Sequence, residues 1–258
     1  MKVVLFCGGL GTRLREHSET IPKPLAGVGC RPIMWHLMRY YAHYGHKDFI
    51  LCLGYRGDLI REYFLNYNEC MSNDFVLSEG GKKIELASSD LDGWRITFVD
   101  TGMHSNLGQR LLRVRRYLDD EPEFLCNYAD GLSDLPLDRQ LEDFRSRGVT
   151  ASFAAVRTPH SVHTVRTDGE GMVTEFGEAS KADFWINGGF FCFRREVFDA
   201  IEEGDELVEA PFQRLIAQRK LAAFRHAGFW QSMDTLKDKM TLDRMESQGN
   251  CPWMVWAR

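Results

Sequence analysis

The chain has 258 residues, 44% hydrophobic and 12% aromatic, enough to bury one substantial core. A net charge of −5 and an isoelectric point near 5.9 leave no basic footprint for a nucleic-acid backbone or an acidic membrane surface, so any phosphate-binding charge must be local. No apolar run approaches the roughly 20 residues of a membrane helix, Met1-Lys2 shows no signal-peptide layout, and the seven cysteines have no zinc-site spacing; together these predict a cytoplasmic protein without structural metal.

In chain order, residues 3–7 predict a buried strand, and Gly8-Gly9-Leu10-Gly11-Thr12-Arg13 follows at once. Missing Cβ atoms at Gly8, Gly9 and Gly11 let a polyphosphate approach main-chain N–H groups, and Arg13 adds a donor fork. The spacing is neither the dinucleotide fingerprint nor a P-loop, since no Gly-Lys-Ser/Thr closes it. Read alone, such a loop is equally a tight connection. Lys23 then stands between Pro22 and Pro24, which predicts an extended backbone presenting the ammonium at low conformational cost.

Residues 33–44 predict a helix, with Met34, Leu37, Met38 and Tyr41 on one stripe and Gly45 as its stop. His36, His43 and His46 fall along or just after it and are assigned surface or partly packed places. Strands at 49–53, 96–99 and 124–127 alternate with short helices at 59–67 and 111–118, a pattern of parallel β-α-β units covered on both faces. Ligands of such sheets lie at the carboxyl ends of the strands, which puts the glycine loop and Asp130 on one edge. The second half predicts strands at 151–156, 162–167, 172–175 and 185–193, an added sheet, then closing helices at 212–218 and 237–245.

Gly8-Gly9-Leu10-Gly11-Thr12-Arg13-Leu14 with Pro22-Lys23-Pro24 resembles the signature of the sugar-1-phosphate nucleotidylyltransferases. The resemblance continues in Gly54-Tyr55-Arg56-Gly57, Val99-Asp100-Thr101-Gly102, Tyr128-Ala129-Asp130-Gly131, Ile186-Asn187-Gly188-Gly189 and, most discriminatingly, Gly228-Phe229-Trp230-Gln231-Ser232-Met233-Asp234-Thr235. Within that superfamily the set is most similar to the glucose-1-phosphate cytidylyltransferases. The resemblance implies one α/β domain with a Rossmann-like, mainly parallel sheet flanked by helices and a small added β region on the sugar side. Residues 1–135 would form the nucleotide half, 150–235 the sugar half, and 236–258 a C-terminal helix and tail.

It also implies transfer of a nucleotidyl group from CTP to glucose 1-phosphate. Arg13 and Lys23 would be catalytic cations, and Asp130 and Asp234 would hold Mg²⁺. Gly8, Gly9, Leu10, Gly11, Thr12, Gly102, Arg110 and Tyr128 would meet the nucleotide, and Glu178, Lys181, Asn187 and Gly188 the sugar phosphate. Without the resemblance, Asp130 reads as a turn aspartate before glycine and Asp234 as a helix N-cap. The chain departs from its relatives in four places. Gly177-Glu178-Ala179-Ser180-Lys181 replaces Glu-Lys-Pro, so the lysine of the relatives is absent at position 179 and its replacement by Lys181 is left open, and Gln109 replaces a glycine before Arg110. A Phe-Gly-Ala stretch is replaced near Val162-His163-Thr164, and a Glu-Pro pair has become Ala210-Pro211. UTP, dTTP or another phosphorylated acceptor remains open, as does a sensor that binds without turnover. A homo-oligomer is expected, with the aromatic tail 252–256 as a contact.

Overall fold

The computed structural model describes residues 1–9, 21–157, 163–178 and 184–257. Eight strands form the central sheet: β1 (Lys2–Phe6), β2 (Asp48–Leu53), β3 (Arg95–Asp100), β4 (Glu123–Tyr128), β5 (Ala151–Val156), β6 (Ile186–Asn187), β7 (Phe191–Arg194) and β8 (Leu221–His226). β1 pairs in parallel with β2 on one side and β4 on the other, and β2 pairs in parallel with β3. β7 runs antiparallel to β4; β5 is antiparallel to β6 and β7 and parallel to β8. The sheet is thus mixed, with β1, β2, β3 and β4 parallel.

Alternation along the strands fills both faces. Val3, Leu5, Phe49, Leu51 and Leu125 join one buried cluster, while Val4, Phe6, Ile50, Cys52, Phe124 and Cys126 join the other. The first cluster is covered by α1 (Ile33–His43), whose buried Ile33, Met34, Leu37, Met38 and Tyr41 face the sheet. The chain turns from β1 to β2 and β3 on one side, then crosses back to β4 on the other. That reversal opens a crevice at the carboxyl ends of β1 and β4.

Three expectations, on residues 185–193, His36 and Lys23, need correction, and two, on the added β region and the tail, become specific. Residues 185–193 are not one strand: Gly189 (φ 78°) and Phe190 (φ 49°) take left-handed backbone and split them into β6 and β7. The added β region resolves into strands that extend the central sheet and one separate ribbon, His163–Thr167 against Val173–Glu178. His36 is only 2% exposed, held by the Val28 carbonyl (3.0 Å) and by Trp253, whose Nε1–H donates to Nδ1 (3.3 Å). Trp253 itself is 1% exposed against Phe229, and Trp256 packs on Trp35, so the tail folds onto its own chain. Lys23 opens a single 3-10 turn, Lys23–Leu25, closed by Leu25 N–H on the Pro22 carbonyl (2.8 Å); only the flanking Pro22 and Ala26 are extended.

Candidate active site

The crevice holds a cavity of about 380 Å³, whose lining includes Gly8, Gly9, Lys23, Asp130 and Asp234. The parallel register sets Phe6 beside Tyr128, so Gly8 and Asp130 leave adjacent strand ends together. A small ribbon then completes the site: Gly131–Ser133 pairs antiparallel with Trp230–Ser232, Gly131 opposite Ser232, and Met233 N–H donates to the Asp130 carbonyl (2.9 Å). This pairing sets Asp234 across from Asp130. The N-cap duty of the following helix, Leu236–Ser247, falls to Thr235, which forms a capping box with Asp238. Asp234 is released to face the cavity, where its Oδ2 accepts from Ser232 (2.7 Å).

Lys23 Nζ sits 2.5 Å from Asp130 Oδ2 and 2.8 Å from Asp234 Oδ1. Burial pulls its pKa down, but the charge of Asp130 and hydrogen bonds to both carboxylates outweigh that and raise it. Lys23 is therefore a fixed cation at neutral pH and no proton acceptor. Cys7, in the same wall, has its thiol pushed well up, first by burial and then by Cys52, so no thiolate nucleophile stands there.

Arg110 is buried at 3% exposure and holds the loop from beneath. Its guanidinium donates to the carbonyls of Gly8 (3.0 Å) and Leu53 (3.2 Å) and to Thr101 Oγ1 (2.7 Å). A Cβ on Gly8 would fall 2.0 Å from Arg110 Nη1, so only glycine permits this fit. Tyr128 lines the cavity, and its hydroxyl accepts from Asn187 Nδ2 (3.2 Å). Beside it, the Gly188 carbonyl accepts from Trp230 Nε1 (2.8 Å), and a Cβ on Gly189 would meet Asn127 Oδ1 at 2.3 Å. The two glycines thus bring the 187–189 segment against the β4 end.

The structure therefore gathers Gly8, Gly9, Lys23, Arg110, Tyr128, Asp130 and Asp234 around one cavity, with Asn187 and Gly188 next to Tyr128. Gly102 (φ 84°) stands outside the lining, its N–H on Asp100 Oδ1 (2.9 Å). Leu10, Gly11, Thr12, Arg13 and Lys181 lie outside the described residues. Glu178 ends the outer ribbon strand, opposite His163. Ser105, Asn106, Leu107 and Glu206 also line the cavity and escaped the sequence reading. For Asn106 a signal existed, the Asn-x-x-Gln capping box with Gln109; for Glu206 no local pattern marks a role.

A mixed sheet flanked by helices with a nucleotide-sized crevice at its switch point is the fold of nucleotide-diphospho-sugar transferases. A putative glucose-1-phosphate thymidylyltransferase from Bacillus anthracis superposes with a TM-score of 0.67 at 15% identity, covering 95% of this chain and 94% of that one. UDP-glucose pyrophosphorylase complexed with UDP-glucose gives 0.70 at 14%, covering 96% and 98%. Residues 2–241 match the nucleotidyl transferase family, and the chain belongs to it. It is 40% identical over 258 residues to the glucose-1-phosphate cytidylyltransferase of Salmonella typhi, covering 99% of this chain and all of the relative. It is 37% identical, at the same coverage, to a probable glucose-1-phosphate cytidylyltransferase of Bacillus subtilis.

Proposed function

We infer that this chain transfers the cytidylyl group of CTP to glucose 1-phosphate. A phosphate oxygen of the sugar phosphate attacks the α-phosphorus, the bond from that phosphorus to the bridging oxygen breaks, and pyrophosphate leaves with the electron pair. The observation that carries the chemistry is the convergence of Lys23, Asp130 and Asp234 beside the Gly8-Gly9 loop. The choice of CTP and glucose 1-phosphate rests on the full-length relatives. Two anions must meet, so the protein's task is alignment and charge neutralisation.

The donor set fits a divalent ion. Two carboxylates from separate segments already focus on a single positive charge within 2.8 Å, and Mg²⁺ takes one or two carboxylates together with phosphate oxygens. Asp130 and Asp234 would hold it, and when bound it neutralises charge on the triphosphate. Lys23 contributes a second, fixed cation at the same place. The main-chain groups of Gly8 and Gly9 cradle phosphate, Arg110 keeps that loop in register, and Asn187 and Gly188 flank the acceptor.

The seven cysteines are all free, which suits a reducing, cytoplasmic setting. No helix among the described residues is long and apolar enough to cross a membrane. Two ribbons carry exposed apolar cross-strand pairs, Leu77 with Ile84 on one and Val165 with Phe176 on the other, and these support a homo-oligomer. Light scattering that returns a monomer mass would remove that part of the reading. Pyrophosphate release across four nucleotides and a panel of sugar phosphates tests the rest. CTP with glucose 1-phosphate should give the highest kcat/KM; binding of nucleotide without release would identify a sensor instead.

A further inference from the structure

The cavity wall carries a second group of residues, chemically unlike Lys23 and the two aspartates. Ser105, Asn106 and Leu107 form one part of it, and Glu206 reaches in from another segment. Glu206 Oε2 accepts weakly from the Leu107 main-chain N–H at 3.4 Å. Its Oε1 is buried and has no hydrogen-bond partner among the described residues. Glu206 is close enough to Tyr128 that, after burial, its negative charge is among the influences raising that phenol's pKa.

A buried acceptor left unpaired is costly, and the cost is recovered when a donor arrives. That donor cannot be a phosphate, which a carboxylate repels; the anionic part of the nucleotide belongs with Lys23 and the glycine loop. The neutral part is therefore the one that meets Glu206, in a cavity where Phe6, Leu107 and Tyr128 offer apolar surface to a flat ring. We propose that the Glu206 carboxylate recognises the base by accepting a hydrogen bond from the 4-amino group of cytosine at Oε1. The proposal rests on the CTP reading above and supplies its specificity.

An ionised carboxylate only accepts. Cytosine presents N–H at position 4, whereas uracil and thymine present a carbonyl oxygen, so the same buried atom that rewards CTP faces an acceptor in UTP or dTTP. Specificity thus comes from repulsion as well as attraction.

Nucleotide binding to the full-length wild-type protein, measured calorimetrically, should weaken about tenfold or more for the CTP analogue lacking the 4-amino group, with 2′-deoxy-CTP staying near CTP. Glu206→Gln, whose amide oxygen can still accept from Leu107 and whose NH₂ can donate to a carbonyl, should narrow the CTP-to-UTP ratio of kcat/KM by about tenfold or more. The change should appear chiefly in the nucleotide KM, leaving the glucose 1-phosphate KM unmoved. If wild type prefers CTP yet binds the analogue equally well, or Glu206→Gln keeps the ratio, this proposal alone falls. It also falls if the loss follows the 2′-hydroxyl, which would make ribose the partner. If wild type does not prefer CTP, the proposed function and this inference fall together. The analogue measurement needs no variant, so it stands whatever Glu206→Gln does to folding.

Discussion

Lys23 is more than a lysine beside two aspartates: it fills the point on which both carboxylates focus, at 2.5 and 2.8 Å. Lys23→Ala should lower turnover about a hundredfold or more, the range for loss of one preorganised charge-stabilising group. The melting temperature should move little, because the pair is partly solvated and such pairs contribute modestly. Equal losses of activity and stability would mark Lys23 as a turn residue only. The same variant leaves the two carboxylates without their ammonium, so calorimetry without nucleotide should show tighter Mn²⁺ binding than in wild type. Asp130→Asn and Asp234→Asn should each shift the magnesium dependence of activity to higher concentration; an unchanged titration would remove them from the ion. Lys23 and Asp130 were legible because they stand next to proline or glycine in a motif, whereas Asp234, between Met233 and Thr235, was legible only through the resemblance of residues 228–235. Glu206 was not, because its importance lies in an unpaired oxygen that only packing creates.

Among elements, the glycine loop and the helix carrying Arg110, α2 (Leu107–Val114), act as one part. Gly8→Ala forces a methyl against a guanidinium already committed to Gly8, Leu53 and Thr101. The nucleotide KM should rise by about tenfold or more while circular dichroism stays native. In the Gly8→Ala, Arg110→Ala double variant the two penalties should fall short of their sum, since one relieves the other's clash; additive costs would show that the two residues are uncoupled. Element boundaries were readable where alternation or a stripe was uninterrupted, as in β1, β2, β4 and α1. Helix Leu137–Arg147 was missed although Leu137, Gln140, Leu141 and Phe144 bury one face and Gly148 caps it, because charged residues fill the rest of its surface. The Phe75–Ser78 and Lys83–Leu86 hairpin gave no signal either: its apolar residues are exposed, so no buried face imposes a pattern. The ribbon joining Gly131–Ser133 to Trp230–Ser232 pairs three residues with three, too few for periodicity to show.

Across the whole molecule, the tail and α1 are fastened through His36. Its Nε2–H donates to Val28, which leaves Nδ1 to accept from Trp253, so both ring nitrogens are committed in the neutral form. Burial first, with Arg31 adding to it against the Val28 hydrogen bond, lowers its pKa to about 4. The unfolded chain takes up this proton near the ordinary value of about 6.5. Stability is therefore fully present above that value and is lost as pH falls from there toward 4, by about 3 kcal/mol from this group. Thermal melts between pH 7 and pH 4.5 should show the decline, and His36→Gln should flatten it; an unaltered slope would place the titration elsewhere. That anchorage was not visible in sequence, where a histidine within a helical stripe suggests partial packing at most. The partner that buries it, Trp253, lies at the other end of the chain.

The pairing of Gly131 with Ser232 carries one more consequence. A chain still emerging from the ribosome can make its first strands, its glycine turn and Asp130 long before Asp234 exists. Until that closing stretch docks, Lys23 has one carboxylate instead of two. Competence to spend nucleotide should therefore arrive late and abruptly, when the stretch carrying Asp234 pairs with Gly131–Ser133.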